Sequence, residues 1–489
     1  FIIILNIITL NKIMQKLFLS LFFFSEILLA NELPDLGDYS ETVIGAHEES
    51  IIGSQILQEV YQSDRVIRDI EIEDYLNKVT DKIVKASDYS GSGITFFIVN
   101  DPSINAFAML GGVIGVHTGL ILSASTESEL ASVLSHEVAH ITQRHVARMI
   151  GKLQKDSFKS YLGLGLALLL ARSNPDLARG ALAVSQALGV QTVLDFTREN
   201  EKEADRVGIK ILDKAGFDVR GSIDFFKTLQ KGSRYSSGAS PSFLRTHPIT
   251  SERISDIKDR LSSYPYKQRV DDLSFHFVKG KLRVFLRDKK AIQKELEINV
   301  KNKAYVNELG ERYALAYAYL LNENFNKAQS ELEWIMSKNI ENPMVEQLRV
   351  EILLKRGDLN STYQVLSRAL KKYPNHRIFV YGLANYFIAR KLSAEAIKFL
   401  RSYLLVFRND SNLYELLAKA YSLKGMQLLQ YENLAESFYY KYNLQEAIAQ
   451  MDMAVRAPDG DFYQKSRVEA RLKQLQKEKE IYEISKENL

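Results

Sequence analysis

The sequence contains no cysteine and only nine prolines in 489 residues. Without cysteine, disulfides, iron–sulfur clusters, thiol catalysis and sulfur-ligated metal sites are excluded. Neither sign of charge dominates, because 64 Lys and Arg stand against 60 Asp and Glu, giving a net charge of +4. Such a balance lacks the excess of positive charge that is typical of nucleic-acid-binding proteins, so no nucleic-acid partner is expected. Any bound metal must be held by His, Asp or Glu.

The N-terminal residues have the pattern of an export signal. Residues 1–13 precede the first Met and are either an upstream extension or a fragment edge. From Met14, a basic start at Lys16 and the mostly apolar run Leu17 to Phe24 are typical of a signal peptide that ends near Ala30. We therefore expect residues 1–30 to direct export, with an uncleaved membrane anchor as the alternative.

After residue 30, no apolar run reaches the roughly 18 residues that span a bilayer. The closest is Leu162 to Ala171, which is only about half that length. The Gly-, Ala- and Leu-rich residues 151–195 contain this run. It is either a buried core helix or a segment that touches a membrane surface.

Residues 31–263 are predicted to form one α+β domain that is mostly helical. Short strands are expected at Ile94–Val99 and on both sides of the turn Gly111-Gly112. Thr126 and Glu129 have the spacing of a capping box, which predicts the start of a helix. Residues 264–304 are interpreted as a connecting region, and residues 232–243 as a Gly- and Ser-containing loop.

Residues 305–489 contain a repeat of 34 residues, which is typical of tetratricopeptide helix pairs. The step separates Ala328, Thr362 and Ala396, and it also separates Leu332, Leu366 and Leu400. The pattern predicts an α-solenoid that ends in a charged C-terminal helix. Ala447 follows Ala396 by 51 residues, so one extra helix is expected around Leu413–Leu434. We expect the repeats to bury their cores against one another rather than against the preceding domain.

A candidate metal site lies in the predicted helix that follows Thr126. His136, Glu137 and His140 form H-E-x-x-H, and a spacing of four places both imidazoles on one helix face, where they can bind one zinc ion. Glu137 lies one step round the helix, where it can take a proton from water activated by the metal.

A third ligand is expected on a second helix, in Glu201-Lys202-Glu203-Ala204-Asp205. Glu199, Glu201 and Glu203 compete for this role. We favour Glu201 because only it has an Asp four residues on, and Asp205 can then accept a hydrogen bond from a ligand His. His145 lies about 140° round a continuous helix from His140 and is not expected to be a ligand.

The spacing of the remaining histidines gives no sign that they bind metal. His117 follows a strand and is expected to be structural. His47, His276 and His376 have no evident partners and are interpreted as surface residues. His247 precedes a proline in a loop, where its role is open.

The spacing of H-E-x-x-H and a later E-x-x-x-D resembles the HtpX and Oma-type gluzincin metallopeptidases. The resemblance extends, in order, through these further motifs: Ile104–Ala108, Gly111-Gly112, Gly119-Leu120, Thr126–Ala131, Thr142–His145 and Thr246–Pro248. It implies a single zinc ion held by His136, His140 and Glu201, with Glu137 as catalytic base and Asp205 supporting the site. It also implies that His247 approaches the zinc as a fourth ligand.

The same resemblance implies a substrate-binding edge strand and a cover over the cleft. The edge would be formed by the strands around these residues: Asn105, Ala106, Phe107, Ala108, Gly112 and Val113. Residues 151–195 would touch the membrane surface or cover the active-site cleft. Residues 1–13 have no counterpart in the family.

The leading hypothesis is an exported zinc endopeptidase, located in the periplasm with peripheral membrane contact. By resemblance, its substrates would be misfolded outer-membrane β-barrel proteins, and its repeats would dock it to the barrel-assembly machinery. A second hypothesis is a non-proteolytic tetratricopeptide chaperone or adaptor. A third, an integral-membrane prenyl-type protease, is opposed by the lack of a spanning run after residue 30.

Overall fold

The computed structural model describes residues 45–152, 190–235, 243–244 and 247–488, apart from 90, 92 and 268. The predicted signal peptide, the apolar run Leu162–Ala171 and most of the predicted cleft cover lie outside the described residues. The predicted mostly helical α+β fold, with a small sheet followed by a solenoid, is confirmed.

The predicted catalytic domain, residues 31–263, contains eight helices and four strands in its described part. In chain order they are α1 (Ala46–Gln62), β1 (Val66–Ile67), α2 (Ile70–Ala86), β2 (Thr95–Val99), β3 (Ala106–Met109), β4 (Val113–His117), α3 (Thr118–Ser123), α4 (Glu127–Thr142), α5 (His145–Lys152), α6 (Val190–Lys214), α7 (Gly221–Tyr235) and α8 (Ser251–Leu261). Helix α7 runs to Tyr235, so the prediction of a loop from residue 232 is wrong for its first four residues.

The sheet has the order β1-β2-β4-β3 among the described residues. Strand β4 is parallel to β2 and antiparallel to β3, so it is paired on both sides. The predicted edge is therefore wrong for Val113, which lies on this inner strand, and for Gly112, which lies in the turn before it. Strand β3, with Ala106 to Ala108, is one edge of the sheet in the described parts of the chain, and β1 is the other.

The β3–β4 turn is fixed by close contact with α1. Gly111 has φ +74°, and a Cβ atom there would lie 2.4 Å from the Cα of Gly53 on α1. Glycine is required at this position because the backbone is left-handed and two backbones meet. The turn that joins the edge strand β3 to β4 is thus fixed in position by its contact with α1.

The second half of the chain is a stack of helices. They are α9 (Leu273–Phe285), α10 (Lys289–Asn302), α11 (Glu308–Leu321), α12 (Phe325–Met336), α13 (Pro343–Lys355), α14 (Leu359–Lys372), α15 (Arg377–Ala389), α16 (Ser393–Leu404), α17 (Ser411–Leu423), α18 (Gln427–Tyr440), α19 (Leu444–Arg456) and α20 (Phe462–Asn488). Two helices separate those of Ala396 and Ala447, whereas one separates those of Ala328 and Thr362, so the extra helix is confirmed.

The repeat positions are buried as their period requires. Ala328, Thr362 and Ala396 have no exposed surface, because each lies where the second helix of a pair meets its neighbours. None of the helices in the described parts of the chain combines the length and apolar composition needed to cross a membrane.

The expectation that the repeats pack independently of the catalytic domain is wrong. One continuous hydrophobic core extends from Ile72 and Leu134 through Phe275 to Tyr313 and Leu348. Residues 273–302, interpreted as a connecting region, form α9 and α10, and α9 packs on both α2 and α11. A cut at residue 305 would divide this core and expose it.

Ion pairs reinforce the seam between the two parts of the molecule, which is formed by α2, α9 and α13. The Nζ of Lys281 on α9 lies 2.7 Å from Oδ2 of Asp69 and also contacts Glu71 at the start of α2. Further along, Arg377 on α15 pairs with Asp74 on α2. The solenoid therefore holds α2 by charge as well as by apolar contact.

Candidate metal centre

Helix α4 crosses the interior of the catalytic domain, and every residue from Glu127 to His140 is buried. Its start is capped as predicted, since the Thr126 hydroxyl accepts a hydrogen bond from the Glu129 amide at 3.1 Å. The Glu129 carboxylate accepts from the amide of Ser125 rather than from Thr126, at 2.9 Å. These caps fix the helix that presents His136, Glu137 and His140.

Helix α6 packs against α4 closely enough to place Glu201 among the imidazoles. Gly208 makes this approach possible, because a Cβ atom there would lie 3.2 Å from both the amide nitrogen and the Cα of His136. The Glu201 carboxylate then lies 3.3 Å from Nε2 of His136 and 3.4 Å from Nε2 of His140. Glu199 is exposed and Glu203 points elsewhere, so of the three candidate glutamates only Glu201 reaches the cluster.

His247 completes a set of four buried donors. Its Nδ1 lies 2.8 Å from Oε1 of Glu201 and 3.4 Å from Nε2 of His136, while the two Nε2 atoms of His136 and His140 are 3.0 Å apart. All four ligand atoms lie within 4.8 Å of one another. Zinc bonds of about 2.1 Å in a tetrahedron give donor separations of about 3.4 Å, so the set fits one zinc ion.

The charges around the cluster also favour a bound cation. Burial lowers the pKa of His140 to about 3, which leaves its imidazole neutral and able to donate a lone pair. Burial acts in the same direction on His136, but the carboxylates of Glu201 and Asp205 outweigh it and raise its pKa to about 10. These carboxylates thus favour positive charge at this position, and a bound zinc ion can supply that charge.

The Glu137 carboxylate lies beside the donors but is not one of them. It has no exposed surface, and neither oxygen forms a hydrogen bond of normal geometry with a described residue. Its nearest cluster neighbour is Nε2 of His247, 3.5 Å from Oε1. Burial raises the pKa of Glu137 above its ordinary value, as suits a group that must gain a proton.

Asp205 lies on α6 one turn beyond Glu201, and its Oδ1 is 3.1 Å from Nδ1 of His136. Arg253 on α8 contacts Asp205 through Nε at 2.6 Å and Nη2 at 2.8 Å, and contacts Oε2 of Glu201 through Nη1 at 2.8 Å. Burial would raise the pKa of Asp205, but His136 and Arg253 hold it below its ordinary value.

Sequence reasoning missed Arg253. It lies in the first turn of α8, where a positive charge faces the positive end of the helix dipole. An arginine is unfavourable at this end of a helix unless an anionic side chain compensates it. Its position in the sequence was therefore a signal that Arg253 has a buried acidic partner. Sequence reasoning also set His145 aside, yet its Nδ1 lies 2.8 Å from Nδ1 of His140.

The segment carrying His247 is tied to the start of the edge strand. The Phe243 amide donates to the Ile104 carbonyl at 3.2 Å, and the His247 amide donates to the Phe243 carbonyl at 2.7 Å. The Phe243 ring stacks on the His247 imidazole at 4.7 Å. Asn105 precedes β3, and its carbonyl accepts from the His117 amide at 3.0 Å.

The other histidines lie away from the cluster. His117 is buried, and its Nδ1 lies 2.8 Å from the Ser103 hydroxyl. His47 is exposed. The expectation that His276 and His376 are surface residues without partners is wrong, because both are half-buried and lie 3.7 Å from Asp271 and 3.9 Å from Asp74, respectively.

Comparison with known proteins agrees with this site. Residues 71–261 match the model of peptidase family M48, and residues 353–420 match a tetratricopeptide repeat model. The chain is 30% identical over 464 residues to a Vibrio cholerae serotype O1 relative, covering 92% of this chain and 93% of the other. It is 29% identical over 447 residues to the β-barrel assembly-enhancing protease of Yersinia pestis, covering 91% and 92%.

The corresponding protease of Escherichia coli K12 is 26% identical over 454 residues, covering 93% of each chain. Fold, donor set and family match together define a zinc metallopeptidase of family M48 joined to tetratricopeptide repeats. The Vibrio cholerae relative is assigned as a β-barrel assembly-enhancing protease and matches along nearly the whole of both chains. This chain belongs to the β-barrel assembly-enhancing protease family.

Proposed function

We propose that this protein is an exported zinc endopeptidase that removes misfolded outer-membrane β-barrel proteins in the periplasm. Its repeats would dock it to the barrel-assembly machinery, and it would also aid assembly without cutting. The observation that carries the proteolytic part is the convergence of four buried donors beside the fully buried Glu137 carboxylate. The names of its relatives support the substrate class and the partner.

In this proposal His136, His140 and Glu201 hold the zinc, and Asp205 orients His136 through its Nδ1. When bound, zinc lowers the pKa of the attacking water and polarises the peptide carbonyl. Glu137 accepts the proton of that water on its carboxylate and later passes it to the leaving amine. Arg253 keeps Asp205 ionised so that it continues to accept from His136.

Strand β3 would bind the substrate backbone as an added strand. Within the described residues its outer edge is unpaired with another strand, and it runs from Ala106 to Ala108 beside α4, with the Ala108 backbone close to Glu137. Backbone pairing of this kind accepts many sequences, since the hydrogen bonds do not depend on side chains. That tolerance suits a protease whose substrates are unfolded chains of varied sequence.

The test of catalysis is Glu137→Gln in the full-length protein. We expect zinc content and thermal stability to stay at the wild-type level, because Glu137 is not a ligand. Casein cleavage should fall by about 10²–10⁴-fold, since proton transfer to the base is lost. Cleavage at the wild-type rate by the zinc-loaded variant would contradict the mechanism.

His247 is proposed to hold the enzyme in an inactive state by filling the fourth position. Its Nδ1 is among the donors, and the Phe243 amide already occupies the Ile104 carbonyl at the entrance to β3. Substrate must displace this segment before it can pair with the strand. This arrangement also favours the second candidate function, in which the closed protein assists substrates through its repeats without cutting them.

His247→Ala separates this switch from a role in stabilising the transition state. The switch predicts faster casein cleavage and self-cleavage, with zinc still bound by three ligands. A group that donates to the developing oxyanion instead predicts slower cleavage at the same zinc content. Both quantities are measured beside wild type, with His47→Ala as a control for removal of an exposed histidine. Slower cleavage at full zinc occupancy would exclude the switch.

A further inference from the structure

His145 joins a proposed zinc ligand to a carboxylate on another helix. Its side chain is 3% exposed, with Nδ1 2.8 Å from Nδ1 of His140 and Nε2 3.1 Å from Oε2 of Glu203. Glu203 lies on α6, two residues after Glu201, and the Nη1 of Arg148 is 3.0 Å from the same Oε2. A continuous chain of contacts therefore runs from Arg148 through Glu203 and His145 to His140.

The backbone is shaped to make this contact. Had α4 continued, residue 145 would lie about 140° round the helix from His140. Instead α4 ends at Thr142, and Arg144 adopts φ +51°, a left-handed conformation that disfavours a residue with a side chain. The Arg144 guanidinium is held by Glu49 on α1 at 2.8 Å. The unusual turn brings His145 back beneath His140 at the start of α5.

Only one set of proton positions satisfies every contact when zinc is bound. An imidazole that binds zinc through Nε2 carries its proton on Nδ1, so His140 donates to Nδ1 of His145. His145 must then carry its own proton on Nε2, which it donates to the Glu203 carboxylate. The carboxylate increases electron density on His145, which becomes a stronger acceptor for His140.

We propose that His145 and Glu203 are positioning residues that orient His140 and strengthen its bond to zinc. This inference rests on the ligands assigned under the proposed function. The two imidazole ligands are then supported in parallel ways. His136 is backed by Asp205 and Arg253, and His140 is backed by His145 with Glu203 and Arg148.

The test compares zinc affinity in full-length wild type, His145→Ala and His145→Asn, measured by competition with a chelator. Loss of the acceptor should weaken zinc binding by about 10–100-fold in His145→Ala. Asparagine places its Oδ1 near the former Nδ1, so His145→Asn should recover most of the affinity. His376→Asn, a change at a half-buried histidine in the solenoid, should bind zinc as wild type does. A general packing defect would not separate Ala from Asn in this way.

Glu203→Ala tests the far end of the chain without altering the His145 ring. We expect a smaller loss of zinc affinity, on the order of 2–10-fold, because His140 keeps its acceptor but loses the carboxylate behind it. Thermal melting of each metal-free variant shows whether it folds, and this variant and His145→Asn decide the outcome if His145→Ala does not. Wild-type zinc affinity in Glu203→Ala and in a folded His145→Ala would overturn the proposal, as would equal loss in His145→Ala and His145→Asn. Failure of the wild-type protein to bind zinc would overturn the ligand assignment as well.

Discussion

The metal centre and the seam each bring three carboxylates and one cationic side chain together, but the two clusters are neutralised differently. At the centre, Arg253 contacts Glu201 and Asp205, and Glu137 lies beside the histidine donors. With its histidines neutral, that cluster has a formal charge of −2, which a zinc ion cancels. Its donors are arranged around one point, so the missing charge has a defined position.

At the seam, Asp69, Glu71 and Glu351 surround Lys281, again with a formal charge of −2. No imidazole of a described residue acts on this cluster, and protons supply the missing charge. Burial raises the pKa of Glu71 to about 8 despite Lys281, and it also raises that of Glu351. A buried acidic cluster thus indicates a metal only where neutral donors converge with it.

The comparison is tested most strongly by Lys281→Met. Methionine keeps much of the side-chain volume but removes the ammonium that pairs with Asp69 and Glu71, which leaves Glu71 and its neighbours uncompensated. We expect the free energy of unfolding to fall by about 3–5 kcal/mol. Chemical denaturation measures it, with Lys290→Met on exposed α10 as the control. A loss of less than about 1 kcal/mol would mean that bound protons already neutralise the seam carboxylates without Lys281.

Glu201→Ala makes the corresponding change at the metal centre. Four ligands supply roughly 10–16 kcal/mol in structural zinc sites, so loss of one should cost about a quarter of that in zinc binding. The metal-free protein should fold, because the cluster is then less negative. Glu199→Ala, on the same helix but exposed, should retain zinc. Normal zinc content in Glu201→Ala, measured after dialysis, would move the third ligand to Glu199 or Glu203.

Glu71→Gln sharpens the comparison through pH. Because the folded-state pKa of Glu71 is raised to about 8, the folded protein binds a proton that the unfolded chain releases near its ordinary pKa. The resulting stability is present below pH ~4.5 and is lost as pH rises towards about 8. Glutamine stays neutral, so relative to wild type the variant should gain about 3–4 kcal/mol between pH 5 and pH 8.

Thermal melts at pH 5 and pH 8 measure that gain, with Glu395→Gln as the exposed control. A difference between variant and wild type that does not change with pH would mean that Glu71 is ionised throughout the window.

Local spacing was sufficient to predict the parts of the site that lie on single helices. A step of four residues identified His136 with His140 and Glu201 with Asp205, and the structure brings all four together. Arg253 was missed because its partners are 48 residues or more away in sequence, a distance that carries no periodic signal. The sequence pattern did not show that Val113 lies on an inner strand rather than an edge strand, since strand order depends on long-range pairing.

His145 was expected not to be a ligand, and it is not among the four donors, but its contact with His140 was missed for a different reason. The helical projection assumed that α4 continues past His140, whereas the left-handed Arg144 ends it and starts a new helix. Asparagine or glycine at that position would have marked the turn, but arginine does not. The 34-residue period identified the solenoid but gave no sign that its first helices share a core with the catalytic domain.

The position of His247 has a consequence for inhibitors. If His247 fills the fourth position as proposed, a small molecule that binds zinc would first have to displace this imidazole, which would compete at an effective concentration in the millimolar range or above. Measured inhibition constants would then underestimate the intrinsic strength of the zinc-binding group. The same zinc-binding inhibitor would look weak against wild type and stronger against His247→Ala, in which no imidazole of the chain would compete for that position.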